Sequence, residues 1–236
     1  MLLNDPASNA ERAAMLGSAC KLKAAALLKM NKGWGEISPC LDSAAKAYAS
    51  GVQGDPALKP YNTLNALPLA WLADSLAQPR KEAASLARQC GETSRKSFAS
   101  SKNFWDAVMS VDAEMTAWLL GSALEDLDAE AESASKNSPA LILQRRYEQA
   151  VRALPGSARE WDSVVKQWRL LAGFIRLSAR KESAKYAENL IALADHFAPG
   201  ATVVDTATPA SPKESATVNT RTTSSRNPRK ARSRKK

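Results

Sequence analysis

The chain has 236 residues, a hydrophobic fraction of 44% and a net charge of +9, with three cysteines and one histidine. This length and apolar content suffice for one medium domain or two small ones. Cys20, Cys40 and Cys90 are odd in number and far apart, which argues against a disulfide framework and the common zinc motifs, and one histidine excludes a multi-histidine metal site. We therefore expect a protein that binds a partner, without a metal or a cofactor, and not an enzyme.

Alanine, leucine and a helical spacing of apolar residues dominate the first 200 residues. Alternation of β-branched and polar residues is almost absent, so the pattern predicts an all-α domain over residues 1–200. In chain order, the predicted helices span about Asn9–Met30, Leu41–Val52, Tyr61–Leu76, Arg80–Ser97, Phe104–Ala131, Pro139–Leu154, Ala158–Ile175 and Ser183–Phe197.

Several predicted boundaries depend on caps and helix breakers. Ser138 is a suitable N-cap, and Ser157 with Glu160 has the spacing of a capping box. Pro68 lies inside the third predicted helix, where it is expected to kink or divide that helix. Two glycines flank Trp34 and predict a loop, and an aromatic residue on a loop is a candidate for contacting a partner.

The apolar stripes identify the expected core. One stripe in the fifth helix has 4-3-4-3 spacing and lies on one face: Phe104, Val108, Val111, Met115 and Trp118. The stripe of the first helix contains Leu16, Cys20, Leu22, Leu27 and Leu28. Of the six tryptophans, we assign to the core Trp71, Trp105, Trp118, Trp161 and Trp168.

The second predicted helix has the spacing found in the second helix of a tetratricopeptide unit, carried by Ala44, Tyr48, Gly51 and Pro56. In such a unit, small residues let neighbouring helices approach, the aromatic ring fills the gap and the proline ends the unit. Leu16-Gly17 resembles the first helix of the same unit, with Cys20 in place of the usual aromatic residue. The segment from Trp34 to Pro39 is then an insertion.

Five further segments extend this likeness: Glu11–Lys21, Tyr61–Leu67, Phe104–Val108, Tyr147–Val151 and Ser157–Gln167. In this order they resemble a family of bacterial divergent tetratricopeptide proteins, the tetratricopeptide-repeat sensor domains, over about residues 10–178. The resemblance implies antiparallel helix hairpins stacked as a tetratricopeptide-like superhelix. It also implies a scaffold that binds a protein partner, as a sensor or adaptor in a bacterial conflict or signalling system with a separately encoded effector.

Polar residues on the first helices of stacked pairs line a concave groove, where they can hold a peptide. The candidate partner-binding residues are Trp34, Asn62, Asn65, Arg145, Arg146 and Arg159. The two asparagines could instead cap the kinked helix, and Trp34 could lie on a loop that folds back over the core.

The positive charge is concentrated in residues 201–236, which hold nine basic and two acidic residues. This segment is rich in Ser, Thr, Pro and Ala and lacks aromatic residues, so we predict a disordered tail. Its basic end could bind nucleic acid through non-specific phosphate contacts, which is the alternative function, or it could be a solubilising terminus with no specific partner. The residues assigned to these contacts are Arg226, Arg229, Lys230, Arg232, Arg234, Lys235 and Lys236.

Two other features are assigned structural roles. His196 is expected at the end of a helix, where the helix dipole favours a histidine. The acidic cluster Glu125–Glu132 is interpreted as a solvated helix end, although it could bind a cation or a basic partner.

No apolar run approaches the roughly 20 residues that span a bilayer, and Met1–Asn9 lacks the features of a signal peptide. We expect a cytoplasmic protein that does not engage a membrane.

Overall fold

The computed structural model describes residues 6–52, 59–124, 138–152, 154–178 and 183–198. Over these residues it contains eight α-helices and no β-strand, which confirms the predicted all-α class. The helices are α1 (Pro6–Lys29), α2 (Trp34–Gly51), α3 (Lys59–Leu72), α4 (Arg80–Ser101), α5 (Phe104–Leu119), α6 (Pro139–Val151), α7 (Ala158–Leu177) and α8 (Ser183–His196).

Three predicted features lie outside the described residues. They are the basic tail, with its candidate phosphate-contact residues from Arg226 to Lys236, the acidic cluster Glu125–Glu132, and Pro56, the proline of the tetratricopeptide-like spacing. The helices themselves belong to one compact unit, Met1–Ala201. In the described part of this unit, no helix is both long enough and apolar enough to cross a bilayer.

Helices that follow one another in the chain pack together from α1 to α6, and α7 packs on α8. The most extensive contacts join α1 to α2 and α4 to α5, and only Lys102 and Asn103 separate the latter two helices. Helices α3 and α5 also contact each other, as do α6 and α8. Helix α1 contacts α7, so the odd-numbered helices approach one another on one side of the unit.

Helices α1 and α2 pack closely where a glycine faces an aromatic ring. A Cβ atom added at Gly17 would lie 2.6 Å from Cδ2 of Tyr48, so the absence of a side chain lets the ring lie directly on α1. Tyr48 is fully buried, and its hydroxyl lies 2.8 Å from Oγ of Ser18. The small residue and the aromatic ring therefore join α1 to α2 as the spacing indicates.

The predicted loop and insertion around Trp34 are wrong. Gly33 adopts an extended conformation with φ −70° and ψ 162°, and its carbonyl accepts a hydrogen bond from the backbone N of Glu36 at 3.1 Å. These features start α2 at Trp34, and Pro39 lies inside the helix. Trp34 itself is half-buried and packs against the core.

Three helices end at least three residues earlier than the sequence predicts, and α6 is one of them, with its end at Val151 instead of Leu154. Helix α5 stops at Leu119 instead of continuing to Ala131, because Gly121 adopts a φ of +95° and the chain leaves the helix. Helix α3 ends at Leu72 instead of Leu76, and Asp74 follows with a φ of 57°. Pro68 does not divide α3, which is continuous across it.

Most of the predicted core is buried, including the whole stripe of α5. Leu16 and Leu22 are exceptions, because α1 turns its small residues toward α2 and these leucines toward solvent. Trp105 is also wrongly assigned to the core and is 41% exposed. Its neighbour Phe104 takes the buried position, and adjacent helical residues cannot face the same way.

Candidate functional site

A cavity of about 480 Å³ opens where the odd-numbered helices meet, and we call it the inner cavity. Its walls come from α1, α3, α5 and α7, and no described residue of an even-numbered helix lines it. Most of the wall is apolar, with Leu64, Met109, Met115 and Leu171 among its residues. The volume lies within the range of about 300–1,000 Å³ that is usual for ligand sites.

The polar centre of the inner cavity is Lys21, which α1 places among three other helices. Its Nζ atom donates a hydrogen bond to Oδ1 of Asn65 on α3 at 2.9 Å and to Oε1 of Gln167 on α7 at 3.0 Å. Burial lowers the pKa of Lys21 to about 8, and the charge of Asp112 opposes this shift. One lysine therefore joins α1, α3 and α7 at the site.

Asp112 on α5 lines the same cavity, and its carboxylate is hydrogen-bonded to a residue of α6. The hydroxyl of the fully buried Tyr147 donates a hydrogen bond to Oδ1 of Asp112 at 2.5 Å. Burial raises the pKa of Asp112 to about 6, although the bond from Tyr147 and the charge of Lys21 both oppose that shift. Burial also raises the pKa of Tyr147 well above its usual value, so the phenol remains a hydrogen-bond donor.

Two half-exposed aromatic residues flank the opening of the inner cavity. Tyr61 is 39% exposed and Trp105 is 41% exposed, and both line the cavity. The ring of Tyr61 packs edge-on against Tyr48 with centroids 6.1 Å apart, which orients it. Aromatic side chains in such positions supply large contact areas and dominate many binding sites.

The structure separates the two asparagines that the sequence groups together. Asn65 lines the inner cavity, where its Oδ1 accepts from Lys21 and its Nδ2 donates to the carbonyl of Tyr61 at 3.0 Å. Asn62 is fully buried, and its Nδ2 lies so close to Gly51 that a Cβ there would be 2.6 Å away. Asn62 therefore packs between helices, and its predicted contact with a partner does not fit this position.

The other candidate residues do not line the inner cavity. Trp34 packs against the core at the start of α2. Arg145 and Arg146 lie on α6, where Arg146 forms an ion pair with Glu114. Arg159 lines a neighbouring polar depression that it shares with Trp105. Of the six candidates, only Asn65 reaches the inner cavity, and Arg159 lies next to its opening.

The single histidine has the position that the sequence predicts. His196 is the last residue of α8, and its Nε2 atom lies 2.8 Å from Oε1 of Glu148 on α6. Within the described ranges, no three histidine, cysteine or acidic side chains gather in a way that could hold a metal ion. Burial raises the pKa of the Cys90 thiol, which disfavours the reactive thiolate.

Sequence reasoning missed Lys21, Asp112 and Trp105. Asp112 had a partial signal, since it is directly beside Val111 of the apolar stripe, although α5 also carries Asp106 and Glu114. Lys21 had none, because α1 carries three lysines and only the fold shows which of them turns inward. Trp105 was assigned to the core because it is beside the apolar stripe of α5.

Comparison of the chain with protein-family models, with curated proteins and with solved structures finds no match. The function therefore has to be inferred from the site. A preformed apolar cavity with aromatic residues at its opening and one ammonium group inside is suited to binding a ligand.

Proposed function

We propose that this chain is a non-enzymatic helical-repeat scaffold whose inner cavity binds a segment of a protein partner. One observation carries the proposal: four helices that are distant in sequence, α1, α3, α5 and α7, line a single open cavity. A surface built from several rigid helices is already shaped before a ligand arrives, so less conformational entropy is lost on binding.

The chemistry of the inner cavity favours a peptide with an apolar side chain. Leu64, Met109 and Leu171 provide an apolar wall, and Tyr61 and Trp105 can cover the bound side chain. An ammonium group has three donors, and Lys21 gives two of them to Asn65 and Gln167, which leaves one for a carbonyl oxygen of the peptide.

The cellular role that we propose is that of a cytoplasmic sensor or adaptor with a separately encoded effector. The sequence resemblance to tetratricopeptide-repeat sensor domains supports this role. The contact of Gly17 with Tyr48 agrees with the packing expected of a tetratricopeptide-like hairpin. In this role, occupation of the inner cavity by a partner segment is the signal.

The test is selection of peptides from a random displayed library on the full chain, followed by calorimetry on the selected sequences. We expect Trp105→Ala to weaken binding by at least about tenfold, because an aromatic residue at the opening is a typical hot spot. The matched control is Trp34→Ala, which removes an indole that does not line the inner cavity.

The two tryptophan variants make the result decisive. Circular dichroism first establishes that both variants are folded. Loss of binding in Trp34→Ala with retention in Trp105→Ala would place the partner near α2, as the sequence candidate Trp34 suggests. Equal affinity in both variants, or no enriched peptide at all, would contradict binding in the inner cavity.

A second candidate function rests on the composition of the tail. Residues 201–236 carry a net charge of +7, from nine basic and two acidic residues, which suits non-specific contacts with nucleic-acid phosphates. Deletion of residues 201–236 should then abolish binding to a labelled duplex, and the affinity of the full chain should fall steeply with salt. Binding that is unchanged by the deletion would refute this role of the tail.

A further inference from the structure

Helix α1 has an unusual distribution of side chains between its two faces. Its innermost positions are small, since Ala10, Gly17 and Ala24 are buried. Leu27 and Leu28 pack against the core. The other large apolar side chains of this segment point away from the protein: Met15 is 66% exposed, Leu16 58%, Leu22 65% and Met30, directly after the last residue of α1, 64%. Among the described residues, the only other exposed large hydrophobic side chains are Tyr61 and Trp105 at the inner cavity, and both are less exposed than these four.

The exposed side chains form a continuous stripe, which we call the outer stripe of α1. It consists of Met15, Ala19, Leu22, Ala26 and Met30, and all five residues are exposed. Steps of three and four residues place them on one helix face. The stripe lies opposite the seam formed by Ala10, Gly17 and Ala24, which packs on the protein. It is therefore an apolar surface that no described part of the chain covers.

The shape of the outer stripe fits another helix. Met15, Leu22 and Met30 project, while Ala19 and Ala26 leave gaps between them. Alternation of large and small residues along a helix lets a facing helix insert its own side chains, as in knobs-into-holes packing. Helices that lie in a bilayer surface typically carry Trp, Phe and Leu on their apolar face, whereas the outer stripe has two methionines, two alanines and one leucine.

The charge beside the outer stripe is positive. Arg12, Lys23 and Lys29 are exposed on the flanks, and no described acidic side chain forms an ion pair with any of them. Glu11 is the one exposed acidic residue on this helix. A helix that packs on the stripe would therefore gain most if its own flanks were acidic, since complementary charges set partner choice and orientation.

We propose that the outer stripe of α1 is a second interaction surface, which docks an amphipathic helix with acidic flanks from another protein. This surface is independent of the inner cavity, because it lies on the opposite face of α1 from Lys21. A scaffold with both surfaces can hold two partners at once. It can thus connect the ligand in the cavity with a second protein.

The positive flanks disfavour two other occupants. In an antiparallel pair of α1 helices from two copies of this chain, centred on Leu22, the two Lys23 side chains would lie close together. The basic tail carries a net charge of +7 and would meet charges of its own sign. Both arrangements place like charges side by side, which costs free energy.

The test uses the full chain and two synthetic helical peptides. Each peptide has three heptads with leucine at positions a and d, and positions e and g carry glutamate in one peptide and lysine in the other. Fluorescence anisotropy of the labelled peptides measures their binding. We expect the acidic peptide to bind at least about tenfold tighter than the basic one, as charge complementarity predicts.

Three double variants identify the surface. Leu22→Ser with Met30→Ser should abolish binding of the acidic peptide, and Lys23→Glu with Lys29→Glu should reverse the preference toward the basic peptide. The matched control is Lys81→Glu with Arg88→Glu, which makes the same change of charge at exposed positions of α4 and should leave binding unchanged. Because all changed residues are exposed, folding should be retained, and circular dichroism checks this.

Several outcomes would overturn the proposal. Binding of the acidic peptide that survives the Leu22→Ser and Met30→Ser changes would show that it attaches elsewhere, for example to the basic tail. A concentration-dependent dimer in sedimentation that these changes abolish would assign the surface to a second copy. Binding to anionic phosphatidylglycerol vesicles but to neither peptide would assign it to a membrane.

Discussion

Lys21 and Asp112 show how burial sets the chemistry of the inner cavity. Burial lowers the pKa of the lysine to about 8 and raises the pKa of the aspartate to about 6. Each shift is limited by the opposite charge of the other residue. At neutral pH Lys21 and Asp112 are thus both charged. Each of them loses its charge at a pH closer to neutrality than it would in water.

The raised pKa of Asp112 predicts a pH dependence of stability. The folded chain keeps this proton up to about pH 6, whereas the ordinary pKa of an aspartate is 3.8. Between these values the folded state binds more protons, so Asp112 makes the free energy of unfolding fall as the pH rises. In the wild type, Asp112 should lower the free energy of unfolding by on the order of 2 kcal/mol between about pH 4 and about pH 7, and Asp112→Asn should remove this decrease. Urea unfolding at each pH measures the change.

The control for this prediction is Asp162→Asn. Asp162 lies on the outside of α7 and pairs with Lys166, with both side chains exposed. Its replacement should leave the pH dependence of the wild type intact. If Asp112→Asn shows the same fall in stability as the wild type, Asp112 is not the buried acid that the structure describes.

The sequence could have revealed one member of this pair. An aspartate beside the apolar stripe of α5 is conspicuous, because a buried carboxylate needs a partner. Its partner could not be found, since Lys21 lies 91 positions earlier in the chain and resembles the other lysines of α1. The same reason explains why Asn62 and Asn65 were grouped: they are three residues apart, yet Asn62 is buried between helices.

Among the elements, the contact between α1 and α2 depends most directly on a single residue. Gly17 lies inside a helix, where alanine is normally favoured by up to about 1 kcal/mol. Because a Cβ at Gly17 would clash with the Tyr48 ring, Gly17→Ala should instead destabilise the protein by about 1–3 kcal/mol. Thermal or urea unfolding measures this change.

Gly35 in α2 provides the matched control. A Cβ atom at Gly35 would meet nothing within 4 Å, so Gly35→Ala should stabilise the protein slightly or leave its stability unchanged. A stabilising effect of both substitutions would mean that α1 does not approach α2 as closely as described.

Helix caps explain which boundaries the sequence predicts well. Ser138 and Ser157 each accept a hydrogen bond from a backbone N–H in the first turn, and α6 and α7 start where the sequence places them. Trp34 was placed in a loop because its two neighbouring glycines usually break helices, but Gly33 acts as the cap of α2. Helix α5 ends just before Gly121, which has a positive φ. The sequence did not reveal this end, because its apolar spacing beyond Gly121 is still that of a helix.

At the scale of the whole molecule, the odd-numbered helices create the site and Lys21 connects them. Its bond to Gln167 joins residues 146 positions apart and brings the first helix of the chain to the seventh. Apolar periodicity could predict eight helices, but it could not predict this long-range approach. The inner cavity therefore follows from the arrangement of helices and not from any motif.

Hydrogen–deuterium exchange of the full chain, with and without a peptide selected on it, tests the inner cavity most directly. Exchange should slow together in α1, α3, α5 and α7, in the segments around Lys21, Tyr61, Trp105 and Gln167, and should stay unchanged in α4 and α8. Slowing confined to even-numbered helices, or to α1 alone, would show that the partner does not occupy the cavity where these four helices meet.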